Sequence, residues 1–164
     1  KAKQGFEESF RLGSYYNKQT RDDMHLELIL RCIQVEPGMR ILDLGTGSGC
    51  IVLSILAQCK NMYATAVDIS DKALTIAKKN AENLGVYDRC RFVNAGWFDT
   101  DFNDKLENKY DIIVSNPPYI PTADIETLEP EVKNFDPMLA LDGGIDGLDF
   151  YRKIYNFVGI MIFY

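Results

Sequence analysis

The sequence predicts an α/β fold, a doubly wound and mostly parallel sheet with helices over both faces. Two observations point there. Short apolar runs bounded by glycine, as at residues 39–44, alternate with stretches whose apolar residues recur at helical spacing. A glycine-rich turn joins the first such run to the first strongly apolar helix. Strands and helices alternating at this interval imply right-handed βαβ crossovers.

The elements follow in order. Residues 1–20 mix Lys, Glu, Gly and Tyr without a clean period and read as an arm or remnant, leaving 21–164 as the main domain. From Asp22 or Asp23, either of which can cap, Leu26, Ile29, Leu30 and Ile33 fall at helical intervals until Pro37-Gly38 breaks the helix. Residues 39–44 read as a buried strand, and residues 50–57, apolar on nearly all sides, as a helix beneath a sheet. A second strand at 62–67 ends in Asp68. Ser70 or Asp71 can cap a helix with Ala73, Leu74, Ala77 and Ala81 on one face, stopped near Leu84 by Gly85. Residues 90–93 and 110–115 make a third and a fourth strand. Residues 117–147 hold five of the six prolines and read as a long ordered loop or lid. A helix is expected over 148–158 and the start of a fifth strand over 158–164.

Composition narrows the classes of function. The chain has 164 residues, 46% hydrophobic and 26% charged, enough for one domain whose core needs no disulfide or metal staple. Eighteen basic against twenty-four acidic residues leave a net charge of −6, which disfavours nucleic acid as the main partner. No apolar run approaches the ~20 residues that span a bilayer, and no signal peptide opens the chain, so a membrane role is not expected. Cys32, Cys50, Cys59 and Cys90 show no CxxC spacing and read as reduced core residues of a cytoplasmic protein. His25 is the sole histidine, so no metal site is expected. The chain opens without Met and closes on apolar residues, and is expected to be truncated at its C-terminal end.

Three places carry chemistry. Asp43-Leu44-Gly45-Thr46-Gly47-Ser48-Gly49 turns from strand to helix with glycines at alternate positions. Such a turn aims backbone N–H groups at a ligand in the crevice beyond the strand ends. A dinucleotide fingerprint would run G-x-G-x-x-G, but here the third glycine comes one residue early, which speaks against a nicotinamide oxidoreductase. Asp68 ends the second strand, where a carboxylate can accept both ribose hydroxyls of an adenosine. Trp97, the only tryptophan, follows the third strand, where it could stack on adenine or simply belong to the core. Asn116-Pro117-Pro118-Tyr119 ends the fourth strand. Its prolines fix φ and remove two donors, leaving oxygen acceptors at Asn116 and Pro117 beside the flat ring of Tyr119. That set suits a planar substrate NH₂ group.

With an acid before its first glycine, the G-x-G-x-G turn resembles the S-adenosyl-L-methionine loop of Rossmann-like class I methyltransferases. Together with Asp68, Trp97, the Asn-Pro-Pro-Tyr turn, Phe135-Asp136-Pro137 and Gly144-Ile145-Asp146-Gly147-Leu148, it resembles the peptide chain release factor glutamine methyltransferases over residues 38–154. The resemblance implies S-adenosyl-L-methionine held by Asp43, Gly45, Thr46, Gly47, Ser48, Gly49, Asp68, Trp97 and Asn116. It implies that Asn116, Pro117 and Tyr119 are catalytic and, with Pro118, bind the glutamine amide. The product would be N5-methylglutamine in a Gly-Gly-Gln loop of a release factor, the expected partner. Two other readings stay open: an N-methyltransferase of a nucleobase amine in RNA or DNA, and a non-catalytic S-adenosylmethionine-binding module. The acidic stretch 124–131 is either a docking lid or a solvated surface, and we favour the surface.

Overall fold

The computed structural model describes residues 36–107, 109–130, 132 and 137–158. The expected arm, the helix from Asp22, Cys32, Phe135, Asp136 and all but the first residue of the expected fifth strand lie outside them. Within this set the order is β1 (Arg40–Leu44), α1 (Cys50–Gln58), β2 (Tyr63–Asp68), α2 (Asp71–Asn83), β3 (Cys90–Asn94), β4 (Ile112–Ser115), α3 (Met138–Leu141) and α4 (Asp149–Val158). Nearly all of it belongs to one compact unit, Gly38–Tyr164.

The four strands form one parallel sheet in the order β3-β2-β1-β4. β1 therefore lies centrally and is buried from Ile41 to Leu44, as a strand covered on both faces must be. Side-chain alternation divides the core. Leu42, Leu44 and Val67 pack with Val93, Trp97, Phe102 and, from α4, Ile154. Ile41, Asp43, Ala64 and Ala66 point the other way, toward α1 and α2.

α1 buries Val52, Leu53, Ile55 and Leu56. α2 buries Leu74, Ala77 and Ala81 on one stripe and begins at Ser70, whose hydroxyl accepts the Ala73 amide at 3.2 Å. Arg89 closes the far end of α1: its guanidinium donates to the carbonyls of Leu56, Cys59 and Met62 at 2.7–3.3 Å.

The long ordered loop after β4 carries a 3-10 turn at Thr122–Thr127 and α3. One expectation changes. Of the described cysteines only Cys90 is fully core, while Cys50 and Cys59 are half-buried at the two ends of α1. Burial pushes the Cys90 thiol up to about 12, with the Asp43 charge reinforcing the rise. No helix among the described residues is long and apolar enough to cross a membrane.

Candidate active site

The turn between β1 and α1 is assembled from backbone. The amides of Gly45 and Thr46 both donate to the Val67 carbonyl at 2.9 Å, and that of Gly49 donates to the Thr46 carbonyl at 2.8 Å. Gly49 has φ +81°, and a Cβ there would sit 2.6 Å from Leu53 Cδ1 and 3.4 Å from Ala77 Cβ. The left-handed backbone favours glycine here, and any side chain would also displace Leu53 of α1. Asn80 of α2 adds a side-chain hydrogen bond to the Ser48 carbonyl at 3.0 Å.

Asp43 lies inside this turn with 1% of its surface exposed. It accepts the Thr46 hydroxyl at 2.6 Å, so it holds the turn from beneath. Burial pushes its carboxyl up to about 7. The Thr46 hydroxyl and the Val52 amide oppose the rise, and the Asp68 charge adds to it. Asp68, at the end of β2, is half-buried. One of its oxygens accepts the Gly47 amide at 2.8 Å and the other the Ser70 amide at 2.8 Å. A carboxylate offers about four lone-pair sites, which leaves capacity for two further donors.

Trp97 packs with 6% exposure in the core behind the turn. A Cβ at Gly45 would meet its Cζ2 at 3.6 Å, and its ring stands edge-on to Phe150 of α4 at 5.1 Å. The aromatic that faces outward is its neighbour Phe98, 62% exposed, with the Lys153 ammonium 5.6 Å from the ring centre. Ile69, after Asp68, is 54% exposed. Sequence reasoning passed over both, although a large apolar residue directly after a strand-end acid was a usable signal.

β4 lies beside β1 with Leu44 opposite Ser115, and the Ser115 hydroxyl donates to the Leu44 carbonyl at 2.6 Å. Asn116 thus leaves its strand level with Gly45. This is where the strand order reverses, the place at which parallel sheets open a crevice. Asn116 is exposed, Pro117 buried, Pro118 half-buried and Tyr119 exposed. The sheet therefore brings the glycine turn, Asp68 and the Asn-Pro-Pro-Tyr turn to one end, with Trp97 as the wall behind.

A parallel sheet ordered 3-2-1-4, a glycine turn at the first crossover and an acid closing the second strand define a Rossmann-like class I methyltransferase fold. The catalytic domain of hMettl16, solved with a MAT2A 3′UTR hairpin, has the same fold at a TM-score of 0.60 and 21% identity, over 82% of this chain and 50% of that one. The chain belongs to the methyltransferase small domain family, whose model matches residues 16–131. Among curated relatives, the release factor glutamine methyltransferase of Rhodospirillum rubrum is 51% identical over 70% of this chain and 34% of its own length. That of Agrobacterium fabrum is 46% identical over 80% and 44%. The chain spans between about a third and just under half of the length of these two relatives.

Proposed function

We propose that the chain carries the catalytic site of an S-adenosyl-L-methionine-dependent enzyme that methylates a glutamine side-chain amide of a peptide chain release factor. The observation that carries this reading is the register Leu44 to Ser115, which sets an amide-accepting turn beside a nucleotide-type glycine turn. The identity of 46–51% to named release factor glutamine methyltransferases supports the acceptor.

The residues fit the donor. The glycine turn leaves no side chain between backbone and ligand at Gly45 and Gly47, and Asp68 retains lone pairs for two ribose hydroxyls. Ile69 and Phe98 offer apolar walls for the adenine, with Trp97 stiffening the floor; Thr46, Ser48 and Asp43 act by shaping the turn. When bound, S-adenosyl-L-methionine supplies an electrophilic methyl on a sulfonium.

An amide nitrogen is a weak nucleophile because its lone pair is delocalised. The Asn116 side-chain oxygen and the Pro117 carbonyl accept its two hydrogens, which orients the nitrogen and favours the more localised lone pair. Pro117 and Pro118 supply rigidity, and the Tyr119 ring packs against the flat amide. Once nitrogen has taken the methyl, its surplus proton leaves to solvent, so no tuned general base is required.

The same NH₂ geometry would suit adenine N6, but a net charge of −6 supports a protein acceptor over a phosphate backbone. In this reading the domain runs over residues 21–164, and the site of action is the cytoplasm, where release factors work. The test is incubation of the whole protein with methyl-labelled donor and a choice of release factor, tRNA and DNA. Label on a release factor glutamine is the expected result; label on nucleic acid alone overturns the reading.

A further inference from the structure

The segment at 141–147 folds back onto the acceptor turn and meets it backbone to backbone. The Ile120 amide donates to the Leu141 carbonyl at 3.1 Å, and the Gly143 amide returns a bond to the Ile120 carbonyl at 2.9 Å. The Thr122 amide donates to the Gly144 carbonyl at 2.9 Å. Asp142 completes the seam by accepting the Thr122 hydroxyl at 2.7 Å and the Gly144 amide at 2.9 Å.

Two glycines make this approach possible. A Cβ on Gly143 would lie 2.8 Å from the Tyr119 Cα. Gly147 has φ +75°, and a Cβ there would collide with the Tyr119 carbonyl oxygen. The contact is therefore with the backbone of the residue that flanks the substrate amide, not with a side chain that could swing away.

The strap is in turn held by α4. Arg152 donates from both terminal nitrogens to the two oxygens of Asp146, at 2.8 and 2.5 Å, and the Asp149 amide binds the Gly143 carbonyl at 3.0 Å. α4 is anchored by Ile154 in the core, with Phe150 packed on Trp97. The Arg152 and Asp146 side chains are 55% and 47% exposed, so solvent screens their pair and it contributes little to stability. A planar fork fixes geometry far better than it stabilises.

We infer that residues 141–147 are a positioning strap for the acceptor turn, in which Gly143 and Gly147 set the place of Tyr119 and Arg152 latches the strap to α4 through Asp146. The inference deepens the proposed reaction and rests on it. Gly143, Gly147 and Arg152 are positioning residues that act through Tyr119. A misplacement of the order of 1 Å at a reacting centre lowers turnover by about 100-fold at the extreme, and a loosened strap should give about tenfold.

The test compares Gly147→Ala, Arg152→Ala and Arg152→Lys in the whole protein. It measures amide hydrogen exchange at Ile120, Thr122 and Gly143, donor affinity, and kcat and KM for methyl transfer to the release factor. Exchange at these amides should quicken by about tenfold in both alanine variants, with the β1 amides unchanged. kcat should fall by about tenfold while donor Kd stays within about twofold, and Arg152→Lys should recover only part of the loss. Unaltered exchange at Ile120 and Thr122, or donor affinity falling in step with kcat, overturns the strap. If Gly147→Ala does not fold, the exposed Arg152 variants decide. If the wild type transfers no methyl to any acceptor, the reaction is wrong, and the exchange measurement judges the strap separately.

Discussion

The two turns at the open end of the sheet are held by different kinds of contact. The glycine turn after β1 is held by hydrogen bonds: Asp43 lies beneath it, and Val67 and Asp68 on the adjoining strand and Asn80 on the next helix reach it from more than twenty positions along the chain. Asp43 and the Val67 carbonyl are buried, while the side chains of Asp68 and Asn80 are half-buried. The Asn-Pro-Pro-Tyr turn after β4 exposes Asn116 and Tyr119 over a buried Pro117, and its support is the close backbone approach of Gly143 and Gly147 to Tyr119. The comparison teaches that the two turns have separable structural supports, so that under the proposed reaction donor binding and acceptor positioning can be perturbed one at a time.

The largest effect that would break this separation is at Asn116. Asn116→Ala should cut methyl transfer about 100-fold while donor Kd, read by calorimetry, changes less than about twofold. A matching loss of donor affinity would mean the turns are one unit. Next comes Asp68→Ala, which removes the acceptor of the Gly47 and Ser70 amides as well as the proposed ribose ligand. Donor affinity should fall by about tenfold or more, and the donor-induced rise in Tm should disappear. An undiminished rise would take Asp68 out of the donor site.

The smallest effect sharpens the account of the buried anchor. Asp43 titrates near 7 in the folded chain and near 4 when unfolded. Between those values the native state holds a proton that the unfolded state has released. Its contribution to stability is therefore full below about pH 4 and is lost as pH rises through 7. Wild type should lose Tm between pH 5 and pH 8, and Asp43→Asn should flatten that slope. Asp146, held near 2 by Arg152, titrates below this window and does not confuse it.

Much of this organisation was legible in the sequence because it is punctuated locally. Gly38, the glycines of the first turn, Asp68 with Ser70, and Gly85 mark where strands and helices must stop, and the four strands fall within two residues of expectation. β4 begins late because Asp111 is still engaged with the backbone of Arg40, its amide to that carbonyl and its carboxylate to that amide. What local pattern does not carry is tertiary approach. Nothing near Gly143 or Gly147 reveals that Tyr119 will lie against them. Nothing in the tripeptide Gly96-Trp97-Phe98 reveals which ring turns inward, since that depends on the core formed by Leu42, Leu44, Val67 and Ile154, dozens of positions away. Asp43 could be matched to a ligand loop by its position, but its burial and its bond to Thr46 follow only once α1 is packed overhead.

The hydroxyl of Ser115 bridges to the Leu44 carbonyl at the last rung of the sheet. Neighbouring strands stand about 4.8 Å apart, a gap set by peptide geometry and insensitive to what occupies the crevice. That rung fixes the spacing between the two turns, and under the proposed reaction it is the ruler that sets how far acceptor lies from donor.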